Sequence, residues 1–287
     1  MAKLNWTFYH KEYDAEESTR WLSPSTKKKG VILTVHGLNN KPSVMNSLAN
    51  LFTSSGLETL RGSLTGHRGS ASEAKDLTEK NWKDDFKNLY CLAHKKAKRL
   101  GLPLNINCFS LGCLLLFNFL NDLEKTPHKA EINKIILISP AITVKAPLTF
   151  FYQLMGFLFP KDWTIPSLNL KNYRVQEGTT VASYEAFFKF LDKNKSMSST
   201  LQKTWRNIPT MIFMNPEDEL LDFKKFQNFI EKNNLESWKI NLINNSKATT
   251  SRVISHLLLD KKSVGNKAWS QMKKKIIQFL DTGQNSH

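Results

Sequence analysis

A chain of 287 residues, 40% hydrophobic and 11% aromatic, can bury one large core, which excludes an intrinsically disordered protein. Three cysteines, Cys91, Cys108 and Cys113, with no Cys-x-x-Cys pair, exclude a disulfide framework and a zinc ribbon, and no cofactor or metal site is expected. The net charge of +16 reads as a solvated basic surface, with peripheral contact with an anionic membrane as the alternative, since such a field can draw the protein toward anionic lipid. The basic residues are scattered without a nucleic-acid motif, so no specific nucleic acid is expected.

Met1 to Arg20 mixes charges with aromatics and has no apolar run of the kind an export signal needs; a cytoplasmic protein is expected. Leu4, Trp6 and Phe8 alternate with polar residues and predict a strand, and a second short strand passes through Trp21. Val31 to Val35 is a β-branched run suited to a central strand covered on both faces. A helix follows from about Ser43 to Ser54, ended by Gly56, then a strand through Leu60. Trp82, Phe86, Leu89, Tyr90, Ala93, Ala97 and Leu100 trace one face of a long helix, with Lys98 and Arg99 near its end before Gly101. Strand Leu104 to Phe109, helix Leu111 to Asp122 and strand Ile135 to Ser139 continue the alternation. Between about Ala141 and Arg206 it stops, leaving aromatic-rich helical stretches (Phe150 to Phe159, Tyr184 to Leu191) separated by Pro160, Pro166 and Asn172. It returns with strand Thr210 to Met214, helix Phe223 to Glu231, strand Trp238 to Ile243 and a final helix from about Ala268 to Leu280. The prediction is α/β: a mostly parallel central sheet with helices on both faces, formed by 1–140 and 207–287, and an inserted helical cap at 141–206.

Cys108-Phe109-Ser110-Leu111-Gly112 leaves a strand and enters an apolar helix. This is the context of a G-x-S-x-G nucleophile elbow, whose tight turn exposes the serine hydroxyl and needs small residues two positions to either side. Cys108 stands where glycine is usual, and it is small enough to serve. His36-Gly37-Leu38 directly follows the strand Val31 to Val35, and its glycine permits a sharp turn that frees the next amide. An oxyanion hole is therefore expected from the backbone N–H groups of Leu38 and Leu111, with His36 shaping the loop. Several acids follow the strand Thr210 to Met214. Asp218 is preferred because the turn through Asn215 and Pro216 presents it, while Glu217 and Glu219 remain alternatives as solvated turn or helix-start acids. His256 lies on a loop after the last strand, completing the chain order Ser, acid, His expected of this fold.

Together, Val31 to Leu38, Leu64-Thr-Gly-His-Arg-Gly-Ser70, the Ser110 elbow and the contexts of Asp218 and His256 resemble the α/β-hydrolases. The likeness is to the monoacylglycerol lipase and lysophospholipase-like branch, often labelled serine aminopeptidase-like, and it spans about Val31 to Leu280. The resemblance implies a triad of Ser110, Asp218 and His256, an oxyanion hole at Leu38 and Leu111, and a structural role for His67 in a loop that here carries an extra Arg68. It implies an acyl-enzyme mechanism without a cofactor, acting on a small-molecule acyl ester.

The apolar stretch Phe150 to Phe159 suggests an acyl-binding lid, with Phe151, Met155 and Phe159 as substrate contacts and medium or long acyl chains preferred. The alternative is a non-catalytic protein of the same fold that binds lipid or an acidic partner through its basic surface.

Overall fold

The computed structural model describes residues 14–69, 72–126, 129–146, 159–194, 206–235 and 237–282. The predicted strand at Leu4 to Phe8 and most of the stretch Phe150 to Phe159 lie outside them. The chain runs β1 (Arg20–Leu22), β2 (Gly30–Val35), α1 (Asn46–Ser54), β3 (Leu57–Gly62), α2 (Ser72–Lys75), α3 (Glu79–Leu100), β4 (Leu104–Phe109), α4 (Leu111–Leu123) and β5 (Lys134–Ile138). It continues through β6 (Thr164–Pro166), β7 (Gly178–Thr180), α5 (Val181–Asn194), β8 (Thr210–Met214), α6 (Phe223–Lys232), β9 (Lys239–Leu242), α7 (Lys261–Val264) and α8 (Asn266–Asp281).

Seven strands form one sheet in the order β1-β3-β2-β4-β5-β8-β9. Only β1, against β3, pairs antiparallel in it. The inner strands are continuous apolar runs because both faces are covered. In β2, Val31, Leu33 and Val35 join the core packed by Trp82, Phe86 and Phe117 from α3 and α4. Ile32 points the other way, into the core of Leu48, Phe52, Met272 and Ile276 from α1 and α8. Helix α3 begins at a Thr78–Asn81 capping box and ends at Gly101, whose φ of 64° continues no helix.

Two features depart from the predicted layout. The helix predicted from Ser43 opens as a 3-10 turn, Pro42–Met45, because Pro42 starts it. The 141–206 segment, predicted as helical, also contains an antiparallel hairpin pairing β6 with β7. Strands of three residues are too short to show a period of two in the sequence. None of the described residues of this segment joins the seven-stranded sheet. Among the described residues no helix is long and apolar enough to cross a membrane.

The strand order reverses between β2 and β4: from β2 the chain moves to β3 on one side, and from β4 to β5 on the other. In open α/β sheets the crevice at the carboxyl ends of such a pair is where ligands bind. The segments leaving β2 and β4 there are His36–Leu38 and Ser110.

Candidate active site

Ser110 sits on the turn between β4 and α4 with φ 49° and ψ −112°, a conformation that costs a side-chain-bearing residue on the order of 1–3 kcal/mol. Four backbone bonds hold it there. Its N–H donates to the Ile138 carbonyl at 3.0 Å, and its own carbonyl accepts from Cys113 (3.0 Å), Leu114 (3.3 Å) and Ala141 (3.3 Å). The residues flanking the turn explain its tightness. A Cβ on Gly112 would stand 2.7 Å from the Val35 carbonyl oxygen and 2.9 Å from that of His36, so α4 can lie against the end of β2 only through a glycine. On the other side the departure at Cys108 is accommodated, because its side chain is fully buried in the core. That burial pushes the Cys108 thiol well above its ordinary range, so it packs there as a neutral group.

The side chains of Ser110, His256 and Asp218 come together across 146 and 38 residues of sequence. The Ser110 hydroxyl donates to His256 Nε2 at 2.9 Å, and His256 Nδ1 donates to Asp218 Oδ2 at 2.8 Å. The remaining Asp218 oxygen, Oδ1, accepts the N–H groups of Leu220 at 2.8 Å and Leu221 at 3.0 Å. Burial of Asp218 opposes its ionisation, but the His256 charge, their hydrogen bond and the two amides outweigh it and hold the carboxyl below its usual value. Burial likewise disfavours charge on His256, and the Asp218 carboxylate with help from Glu219 reverses this, raising its pKa above 6.5.

Three neighbours fix this line of groups, of which the sequence names only Glu219, among the acids beside Asp218. Ser139, at the end of β5 with φ 41°, donates its hydroxyl to the His256 carbonyl at 2.9 Å. Glu219 accepts the His256 N–H at 3.2 Å, and Lys145 donates to the Asp218 carbonyl at 2.5 Å. The signal for Ser139 is its place at a strand end beside Pro140. Lys145 carries no signal.

The loop after β2 presents the second half of the site. Gly37 has no room for a Cβ, which would meet Asn40 Oδ1 and the Phe109 ring, each at 2.8 Å. The Gly37 carbonyl accepts from His36 Nδ1 at 2.9 Å and from the Asn40 N–H at 3.3 Å. In a trans peptide the carbonyl of one residue and the N–H of the next point in opposite directions, so tying back the Gly37 carbonyl aims the Leu38 N–H outward. Among the described residues neither the Leu38 nor the Leu111 N–H has a protein acceptor. His36 Nε2 accepts the Leu64 N–H at 3.2 Å, and its burial, reinforced by His67, keeps the ring neutral. The extra Arg68 of the neighbouring loop pairs with Glu73 at 3.2 Å and Asp85 at 3.7 Å.

Above Ser110 lies a cavity of about 110 Å³. Leu38, Val144, Tyr184, Phe187, Phe188 and Leu221 supply much of its apolar wall, and Glu219 and His256 stand at its polar side. Of the residues expected to touch substrate, Phe151 and Met155 lie outside the described residues. Phe159 stacks on Trp163 with ring centroids 4.3 Å apart and is not among the residues lining this cavity. Phe187 and Phe188, which do line it, come from the aromatic stretch predicted as the second helix of the insert.

Residues 26–246 match a family model described as serine aminopeptidase, S33. No curated protein matches the sequence. Among solved structures, the chain is similar to a soluble variant of monoglyceride lipase from Saccharomyces cerevisiae, with a TM-score of 0.70, 16% identity, and 91% of each chain covered. It is also similar to a metagenome-derived lipolytic enzyme of the LipS and LipT pair (TM-score 0.69, 16% identity, 93% of this chain and 98% of that one). A third is Est1E from Butyrivibrio proteoclasticus, solved with ferulic acid (TM-score 0.55, 15% identity, 92% and 93%). At these identities the likeness speaks for the α/β-hydrolase fold.

Proposed function

For a chain that belongs to the serine aminopeptidase S33 family of α/β-hydrolases, we propose a serine hydrolase that cleaves carboxylic esters with an apolar, lipid-like acyl group. The observation that carries the reading is the unbroken line from Ser110 Oγ through His256 to the buried Asp218 carboxylate, opening on an apolar cavity.

In the proposed reaction, Ser110 Oγ attacks the ester carbonyl carbon as His256 Nε2 takes the hydroxyl proton. The negative charge formed on the carbonyl oxygen is met by the Leu38 and Leu111 N–H groups, with the N-terminal end of α4 adding its partial positive charge. The imidazolium, stabilised by Asp218, then protonates the leaving alcohol oxygen as the C–O bond breaks. Water, deprotonated by His256, attacks the acyl-enzyme; the acid leaves and Ser110 regains its proton.

The 141–206 segment acts as the cap: Tyr184, Phe187 and Phe188 close over the acyl group. A cavity of about 110 Å³ is smaller than the roughly 150 Å³ that admits benzene, so a long chain fills it and continues past Leu168, which is 54% exposed at the rim.

The test is hydrolysis of p-nitrophenyl esters from acetyl to palmitoyl by the wild type and by Ser110→Ala. Turnover that disappears in the folded variant, with an optimum at medium or long chains, is the expected result. An active Ser110→Ala would remove the nucleophile, and turnover confined to acetyl and butyryl esters would remove the lipid-like substrate. A wild type that neither turns over an ester nor reacts with a fluorophosphonate would leave a binding protein of this fold.

A further inference from the structure

Asn39 follows Leu38 directly and has no part in the proposed chemistry. It is 5% exposed and holds a left-handed backbone, φ 51°, at the turn closed by the Asn40 N–H on the Gly37 carbonyl. Its backbone N–H donates to His67 Nε2 at 2.9 Å, and its carbonyl accepts the Val175 N–H at 3.2 Å. Its side chain grips one residue of the insert by both backbone groups: Oδ1 accepts the Gln176 N–H at 2.9 Å, and Nδ2 donates to the Gln176 carbonyl at 3.1 Å. Next to it the Lys41 N–H donates to the Tyr173 carbonyl at 2.9 Å. The 173–176 stretch therefore lies along the whole turn that carries the Leu38 amide.

His67 supplies the anchor on the core side. Its Nδ1 donates to the Thr65 carbonyl at 3.1 Å, which leaves Nε2 as the acceptor. Burial holds its pKa down to about 4, so it stays an acceptor at neutral pH.

We infer that Asn39 is a positioning residue: it clamps the oxyanion loop between the core and the insert and so holds the Leu38 N–H on the reacting carbonyl. The inference rests on the reading of Ser110 as nucleophile and Leu38 as oxyanion donor. An oxyanion donor works only within about 2.7–3.1 Å of the charge it meets, and a turn tied on one side alone would let that amide wander. Catalysis in this protein then depends on the insert being docked, through contacts to the backbone of Gln176 and Val175.

The variant that isolates the clamp is Asn39→Gly, because glycine takes the left-handed conformation without strain while keeping the N–H that His67 accepts. Two rates are read: kcat and KM for p-nitrophenyl butyrate, and the rate at which a fluorophosphonate labels Ser110, which needs the same oxyanion donors. Removing a donor outright costs about 10²- to 10³-fold; a donor that is displaced should cost at least about tenfold in kcat and in labelling rate. KM should stay within about twofold, since the Leu38 side chain that lines the cavity is unchanged and the clamp acts on the Leu38 amide, whose bond strengthens only as charge develops. Asn39→Asp, which keeps the acceptor for the Gln176 N–H, should recover part of the loss.

Wild-type kcat and labelling in Asn39→Gly, or a loss confined to KM, would overturn the clamp alone. A wild type that the fluorophosphonate does not label would overturn the nucleophile and the clamp with it. If Asn39→Gly melts below the assay temperature, Asn39→Asp is read by the same two rates, and wild-type values there also overturn the clamp.

Discussion

Replacing Asp218 with Asn tests the proposed triad at the member for which the sequence left rivals. The Asp218 side chain is buried, with Oδ1 taken by the Leu220 and Leu221 amides and Oδ2 facing His256 Nδ1 at 2.8 Å. An asparagine that keeps the two amides on its oxygen must turn its NH₂ toward His256. Two donors cannot share that contact, so the ring adopts the other tautomer, with its proton on Nε2 facing the Ser110 hydroxyl. The base is then unavailable although every atom is nearly in place. The expected loss is about 10⁴-fold in kcat, or about 5 kcal/mol of barrier, with p-nitrophenyl butyrate as substrate and a melting curve to show the fold intact. Glu219→Gln is the matched comparison. Its contact is the His256 N–H at 3.2 Å, which a Gln side-chain oxygen can also accept, so about threefold or less is expected from an exposed group of this kind. Turnover by Asp218→Asn within tenfold of wild type, or a larger loss in Glu219→Gln, would refute the assignment.

The same geometry sets the acid limb of the pH–rate profile. The base must be neutral, and Asp218 and Glu219 together raise its pKa against burial, so kcat/KM should fall as pH drops through a value above 6.5; an inflection below 6.5 would contradict this. His67 carries a shift in the opposite direction, and it makes a prediction about stability. Its folded-state pKa of about 4 lies below the ordinary histidine value of 6.5, so its contribution is full above pH 6.5 and is lost as pH falls toward 4. About 3 kcal/mol is at stake for a shift of that size. Urea titrations at pH 7.5 and pH 5 should show a pH dependence that is weaker in His67→Gln, and equal dependence would exclude the role. Gly112→Ala places a methyl 2.7 Å from one backbone oxygen and 2.9 Å from another, neither of which can rotate away. A loss of about 1–3 kcal/mol should appear as a lowered melting temperature, and an unchanged one would mean that α4 is less tightly seated on β2 than its contacts imply.

What was legible in the sequence was local or periodic. The run Val31 to Val35, the face of α3 and the turn after β4 each announce themselves within a few residues, and they were enough to read the sheet, its parallel sense and the position of Ser110. The hairpin of β6 and β7 was not legible, because three-residue strands lack a period. The acid was legible as a cluster in which the turn through Asn215 and Pro216 favours Asp218. The choice among Glu217, Asp218 and Glu219 turns on which side chain the loop buries, and that depends on contacts with Leu220, Leu221 and His256 that exist only after folding. Of the expected substrate contacts, Phe151 and Met155 lie outside the described residues and Phe159 does not line the cavity. Phe187 and Phe188 line the cavity from α5, and their stretch resembled any other buried aromatic run.

The backbone around the site shows why it needs more than its reacting side chains. Among the described residues, non-glycine positions with positive φ are Asn39, Ser110, Ser139 and Asn234. Three of these stand at the carboxyl edge of the sheet, which is where strain is expected to concentrate if a site requires it. Each is held by bonds that extend the regular structure beyond its last residue. The Ser110 N–H reaches Ile138 across the β4–β5 pair, and the Ser139 N–H reaches Phe213 across the β5–β8 pair, both continuing the ladder. Asn39 lies past the end of β2, and there the insert supplies Val175 and Gln176 as its partners. Ser110 and Ser139 are therefore each tied to a neighbouring strand, while the proposed oxyanion loop is completed by the segment that also lines the cavity above Ser110. Loosening of that segment should reach the Leu38 amide before it reaches the Ser110–His256 contact.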